Sequence, residues 1–264
     1  MYESICYSAN FDMAAQTDIT LYTEGTPNGL KASIVLEELG LSYKVRSIKL
    51  FEHEHKEPWY LEVNPNGRIP ALTDKLENGK EVKIFESGAI LLYIVSRYDK
   101  DHKISYPVGS KEYWESVSWL MWQMGGLGPA QGQANHFVSA APERYEYSLS
   151  RYVNESRRLY RVLDTQLSNN PHGYIVGDRV TVADIAVWPW AQAWKASGLK
   201  TMDEFPNVLK WMVKLLDRPR FEKDRNVPGP HFHIQLNEMS EEEIDKLMRP
   251  RTGWVLEGMK RDAE

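Results

Sequence analysis

The stretch ITLYTEGTPNGLKASIVLEELGLSYKVRSI, residues 19–48, decides the fold. Its opening, Ile19–Thr23, alternates as a short strand does. Apolar residues at 30, 34, 35 and 39 then keep helical spacing from about Pro27, and Gly40 stops the run. Tyr43–Ile48 alternates again. Strand, helix and strand in so short a span make a β-α-β unit too small for a large doubly wound sheet. Downstream, Ile69–Thr73 reads as a third strand, Glu77-Asn78-Gly79-Lys80 as a hairpin turn, and Val82–Phe85 as the returning strand. Ser87 to about Tyr98 is helical. The sum, β-α-β followed by β-β-α in about 80 residues, is a small mixed sheet with helices packed on it.

The second half changes character. Residues 99–109 are polar and aperiodic, with Pro107 and Gly109, and read as a linker. Helical periodicity then runs over about 110–124, 130–138, 142–167, 182–197 and 206–217, with no convincing strand. Thr181-Val-Ala-Asp184 opens one of these helices as a capping box with Asp in place of Glu. A tail follows Pro228, with one acidic helix near 240–248. The fold class is therefore α/β plus all-α. The expected organisation is a flexible leader at 1–17, a sheet domain at 18–98, the linker at 99–109, an all-α domain at 110–226 and an extension at 227–264.

Composition narrows the function classes. The chain has 264 residues, 42% hydrophobic and 26% charged, with nine Trp and 14 Tyr, so it can bury a sizeable core. Thirty-two bases against 37 acids leave a net charge of −5. Residues 1–16 contribute −2 and residues 227–264 contribute −3, so the stretch between them is neutral. No basic footprint for nucleic acid is present. The longest apolar runs are about seven residues, too short to span a bilayer. No base precedes Lys31, which argues against a secretory or transit leader. The single Cys6 forms no internal disulfide and excludes a CxxC redox site, which fits a reducing cytoplasmic compartment.

Three short motifs carry the chemistry. Thr26-Pro27-Asn28-Gly29 opens the first helix. Thr before Pro is a good cap, and the unpaired N–H groups of a helix start stabilise an anion, a thiolate included. Asn28 adds an amide donor and Thr26 a hydroxyl. Asn64-Pro65-Asn66-Gly67-Arg68-Ile69-Pro70 enters the third strand. With a cis bond before Pro70, the backbone of Ile69 would be free to pair with a peptide laid alongside. Phe85-Glu86-Ser87-Gly88 joins the fourth strand to a helix. There Glu86 offers a carboxylate to an amine, and Ser87 with the helix N–H groups offers donors to a carboxylate. As a plain cap, Ser87 would need no ligand.

These motifs, in this order, resemble the thioredoxin-like N-terminal domain of cytosolic glutathione transferases, and the helical half resembles the all-α domain of the same superfamily. Trp119–Pro129 and Gly132-Gln-Ala-Asn-His-Phe137 are similar to the nu-class enzymes and to the yeast nitrogen-catabolite regulator. The resemblance covers about residues 18–225. It implies glutathione as co-substrate, no metal, and a homodimer. It places Thr26 and Asn28 at the sulfur, His55 at the glycyl carboxylate, and Ile69 along the cysteinyl segment between Arg68 and Pro70. Glu86 and Ser87 would hold the γ-glutamyl end, and Arg151 would reach glutathione across the dimer. The second substrate is expected between the domains, near Met124–Pro129 and His136. The implied activity is a glutathione transferase, or a disulfide reductase in which glutathione supplies both thiols. A non-catalytic glutathione-binding regulator that docks a protein partner is the alternative.

Other signals carry no site. Glu52-His53-Glu54-His55 and His231-Phe232-His233 lack a distant ligand at metal spacing. Gly126–Gly132 contains Pro129, has Gln131 where a third Gly belongs, and follows a helix rather than a strand. Trp119/Trp122 and Trp188/Trp190/Trp194 read as core and interdomain packing, with a border of a hydrophobic substrate pocket as the alternative for Trp119 and Trp122. Arg157, Arg158 and Arg161 read as a solvated helix face.

Overall fold

The computed structural model describes residues 5–7, 16–224, 227–229, 235–248 and 251–263. Helix α1, Pro27–Leu39, is the hub of the molecule. Thr26 caps it by accepting from the Gly29 N–H, Pro27 occupies the first turn, and Gly40 closes it at φ 66°. Almost every residue of α1 is buried, because the sheet covers one side and the helical half the other.

The sheet has five strands in the order β1-β3-β2-β4-β5. These are β1 (Ile5–Tyr7), β2 (Thr20–Thr23), β3 (Tyr43–Ser47), β4 (Ala71–Lys75) and β5 (Glu81–Phe85). β2 and β3 are parallel, as the β-α-β unit requires, and every other pairing is antiparallel. β1 corrects one expectation. Part of the stretch read as a flexible leader is an edge strand, with Cys6 opposite Lys44. Three residues are too few to show alternation, and their order comes from pairing with β3. A short helix α2, Pro58–Leu61, and helix α3, Ser87–Tyr98, complete this half.

The helical half comprises α4 (Lys111–Trp122), α5 (Gly128–Ser139), α6 (Glu146–Asn169), α7 (Val182–Gln192), α8 (Pro206–Leu216) and α9 (Pro219–Asp224). A π-helical turn over Gln123–Leu127 joins α4 to α5. The capping box at Thr181 and Asp184 is formed. The buried Asp184 carboxylate also accepts from the Ile175 N–H at 3.0 Å and the Trp211 indole at 2.9 Å. α7 ends earlier than its apolar pattern suggests, giving way to a 3-10 turn at Lys195–Ser197 that Gly198 closes at φ 77°.

One hydrophobic core runs through both halves, from Ile19 and Leu36 through Leu120 and Trp188 to Val227. Residues 99–109, expected as a linker, are pinned. The buried Asp99 carboxylate accepts from Lys103 N, Ile104 N and Ser105 Oγ, and Ile104 enters the core. At the far end Arg218 pairs with Glu38 and Arg220 donates to the last carbonyls of α1.

The extension also folds back. Helix α10, Glu241–Met248, matches the expected acidic helix, while α11, Arg251–Asp262, was not legible in the sequence. Leu236 and Met248 bury against Ala196, and Lys195 Nζ donates to the carbonyls of Asn237 and Met239. The His231–His233 stretch lies outside the described residues.

Candidate functional site

A cleft of about 470 Å³ opens where the starts of α1 and α3 meet the loop entering β4. Thr26, Asn28, His55, Arg68, Ile69, Pro70, Glu86 and Ser87 all line it, so eight of the nine expected site residues come together. Arg151, the ninth, stands exposed on α6 and lines no described cavity of its own chain.

Each wall has a local cause. Thr26 Oγ1 accepts from Gly29 N at 3.1 Å, which leaves its O–H hydrogen free to donate into the cleft. Gly29 is required by close approach, since a Cβ there would sit 2.2 Å from the Glu24 carbonyl. The Asn28 side-chain oxygen accepts from the Trp190 indole N–H at 3.0 Å. That bond fixes the orientation of the amide and leaves its NH2 as the group offered to a ligand. Trp190 also lines the cleft, a role that its reading as packing missed.

The β4 entry loop is braced from within. Asn64, 1% exposed, donates through Nδ2 to the Arg68 carbonyl at 2.6 Å and accepts from Asn66 N at 2.9 Å. Tyr60 donates to the same Arg68 carbonyl at 2.7 Å, and Gly67 turns the chain at φ 59°. The Ile69–Pro70 bond is cis. Opposite, Glu86 adopts φ 67°, a left-handed value that non-glycine residues rarely take and that marks functional sites when it persists. Asn66 Nδ2 donates to its Oε1 at 3.5 Å. Glu86 holds the cap position of α3 and Ser87 is the first helical residue, so the Ser87 hydroxyl is not used as a cap.

Behind Ser87 lies a residue that pattern reading did not mark. Lys31 is fully buried, and its Nζ donates to Ser87 Oγ at 3.3 Å and to Gln123 Oε1 at 2.5 Å, with Met124 Sδ at 3.4 Å. Burial pushes its ammonium down to about 7, with the Glu86 carboxylate opposing that shift. The signal was available: α1 is apolar around most of its circumference and leaves Lys31 no solvent face.

A second cavity, of about 550 Å³, continues from the first and shares His55, Arg68, Asn135, Arg251 and Trp254 with it. His136 lines it, and burial lowers the imidazole's proton affinity. Met124–Pro129 does not line it. Met124 packs against Ser87 and Gly88, and Leu127 is fully buried. Among the described residues no group of three His, Cys, Asp or Glu could hold a metal ion, and no helix is long and apolar enough to cross a membrane.

A thioredoxin-like sheet joined to an all-helical half, with a polar cleft between the starts of α1 and α3, is the architecture of the glutathione transferases. Residues 17–96 match the glutathione S-transferase N-terminal domain model, and residues 131–219 match the C-terminal domain model. The "Disulfide-bond oxidoreductase YfcG" of Escherichia coli K12 is 37% identical over 203 residues, 76% of this chain and 91% of that protein. A glutathione transferase homolog from Lodderomyces elongisporus, solved with two glutathiones per subunit, has a TM-score of 0.76 at 43% identity, covering 80% of this chain and 99% of its own. The transferase URE2P6 of Phanerochaete chrysosporium, solved with oxidized glutathione, gives 0.74 at 42% identity, covering 79% and 94%. The chain belongs to the glutathione S-transferase family, in the company of its Ure2p-like members.

Proposed function

We propose that the chain binds glutathione in the 470 Å³ cleft and uses its thiolate to attack disulfides and other electrophiles entering from the adjoining cavity. The convergence of the α1 N-terminus, Thr26 and the Trp190-fixed Asn28 on one wall, facing Glu86 and Ser87 on another, carries this reading. The γ-glutamyl ammonium meets Glu86, its carboxylate meets Ser87 and the α3 start, and the sulfur then falls toward Thr26 and Asn28. A free thiol titrates near 8.5, so ionisation at neutral pH needs about 1.4–2.7 kcal/mol of stabilisation. A helix N-terminus and one or two hydrogen bonds supply that much.

In disulfide reduction the thiolate forms a bond to one substrate sulfur and expels the other as a thiolate, which takes up a proton. A second glutathione then attacks the mixed disulfide, releasing the second substrate thiol and leaving glutathione disulfide. The chain's only cysteine, Cys6, lies on the edge strand with β3 between it and β2, so both reducing thiols come from glutathione. The presence of oxidized glutathione in URE2P6 and the oxidoreductase name of the E. coli relative support this branch over aryl transfer alone. A cytoplasmic homodimer is part of the proposal, with the exposed Arg151 reaching the partner's cleft.

The test is a paired assay of wild type and Asn28→Ala, with glutathione plus hydroxyethyl disulfide in one arm and glutathione plus an aryl halide in the other. Disulfide turnover that collapses in Asn28→Ala is expected. Turnover confined to the halide makes the chain a conventional transferase. Silence in both arms, with glutathione still bound by calorimetry, favours the regulatory alternative.

A further inference from the structure

The glycine-rich stretch Gly126–Gly132, which fits no nucleotide loop, has a different use in the structure. Gly128 and Gly132 lie about one turn apart on α5, and the Trp190 indole rests against both. An added Cβ would stand 3.6 Å from its Cε2 at Gly128 and 3.4 Å from its Cη2 at Gly132, so the two glycines form a seat for the ring. Gln131, 1% exposed, stands beside that seat and donates through Nε2 to the Trp190 carbonyl at 2.7 Å. Trp190 is in the last turn of α7, where carbonyls run out of partners within the helix. Ala193 N supplies one bond to that carbonyl at 3.1 Å, and Gln131 supplies a second from another helix.

The Gln131 amide is itself oriented. Tyr160 of α6, fully buried, donates its hydroxyl to Gln131 Oε1 at 3.0 Å, which turns Nε2 toward Trp190. Burial pushes the Tyr160 phenol well above its ordinary pKa, so its O–H remains a donor at every working pH. At the other end, the Trp190 indole N–H donates to Asn28 Oδ1 at 3.0 Å. Tyr160, Gln131, Trp190 and Asn28 thus form one chain in which each residue donates to the next, from α6 through α5 and α7 to the start of α1. Donors aligned head to tail polarise one another, and the last of them, the Asn28 NH2, faces the cleft. As a plain cap on α7, Gln131 would support the helix and have no bearing on a ligand.

We infer that Gln131 and Tyr160 are positioning residues for the glutathione sulfur: through Trp190 they fix the Asn28 amide with its NH2 toward the thiolate. The inference rests on glutathione occupying the smaller cleft with its sulfur at Asn28. It goes further by assigning to thiolate stabilisation two buried residues of the helical half, neither of which lines the cleft.

The test reads the ionisation of bound glutathione by ultraviolet difference spectra across pH. The proteins compared are wild type, Asn28→Ala, Gln131→Met and Tyr160→Phe, and each of the last two combined with Asn28→Ala. Asn28→Ala is expected to weaken the thiol's ionisation constant about fivefold, and Gln131→Met and Tyr160→Phe about two- to threefold each. With Asn28 already replaced, the second substitution should add nothing, because it acts only through that amide. A change under about 1.5-fold in either folded single variant, or the same change with and without Asn28, overturns the inference. Tyr160→Phe removes one hydroxyl and decides the matter by itself should Gln131→Met not fold. S-methylglutathione, which has no thiol to ionise, serves as control. Its affinity should stay within about twofold of wild type, and a loss as large as the ionisation effect would mean that the two residues hold the cleft rather than the sulfur. Without any ligand, hydrogen exchange of the Trp190 indole N–H, assigned by its absence in Trp190→Phe, should quicken about fivefold in both variants, and unchanged exchange also refutes the inference. An unchanged ionisation constant in Asn28→Ala would count against the proposed seat of the sulfur, while the indole exchange would still decide whether Gln131 and Tyr160 hold Trp190 on Asn28.

Discussion

Replacing Lys31 by Met tests whether a buried lysine behind Ser87 is held close to neutrality. Methionine keeps the length and shape of the side chain and removes the ammonium. In the folded chain burial brings Lys31 down to about 7, whereas in the unfolded chain it titrates at its ordinary 10.5. Between those values the unfolded state binds the proton and the folded state does not, so stability rises with pH through that window. The burden of burying Lys31 is full below pH 7, on the order of 5 kcal/mol, and falls away as pH approaches 10.5. From pH 7 to pH 9 the wild type should gain about 2 kcal/mol relative to Lys31→Met. Losing the donor to Gln123 and Ser87 costs the variant about 1–3 kcal/mol, but equally at every pH. Chemical denaturation of both proteins at half-unit steps from pH 6 to pH 9.5 reads the difference directly, because titration of all other groups cancels. A difference that stays flat within about 0.5 kcal/mol would refute the reasoning and show that Lys31 keeps its proton when buried.

Three further outcomes follow from the same geometry. A γ-glutamyl carboxylate docked at Ser87 stands beside Lys31 and should add proton uptake at pH 8 to the proton that the ionising thiol releases; the buffer dependence of the binding enthalpy between phosphate and Tris should therefore differ between wild type and Lys31→Met, and identical dependence in the two would detach Lys31 from the ligand. Trp190→Phe removes the donor that orients the Asn28 amide, a bond worth about 1 kcal/mol, and should lower kcat/KM about fivefold with the fold intact by circular dichroism; a change under twofold would mean that Asn28 is oriented by something else. Asn64→Ala breaks the two hydrogen bonds that Asn64 makes within the β4 entry loop and should cost about 2 kcal/mol of stability while weakening glutathione binding; an unchanged dissociation constant would detach that loop from the ligand.

How far the sequence carried depended on whether the cause of each feature was local. α1 and α3 are legible because their limits are chemical: Thr26-Pro27 at one start, Gly40 at one stop, and the strand-to-helix switch at Glu86-Ser87. The cleft residues were readable for the same reason, since a helix start or a Pro-entered strand states what its backbone offers. Trp190 and Asn28 meet across 162 positions of chain, and no window of sequence contains that bond. The tail is the strongest case. Gly253 and Gly258 argue locally against a helix, and the run from Arg251 to Asp262 has no clean apolar stripe. What stabilises α11 is the surface it lands on, where Trp254 stacks on His53 and donates to the Leu50 carbonyl. His53 reads in the sequence only as a weak metal ligand, yet its stacking partner is Trp254 of that same helix. Helix α11 thus forms where local propensity is weakest and tertiary contact decides.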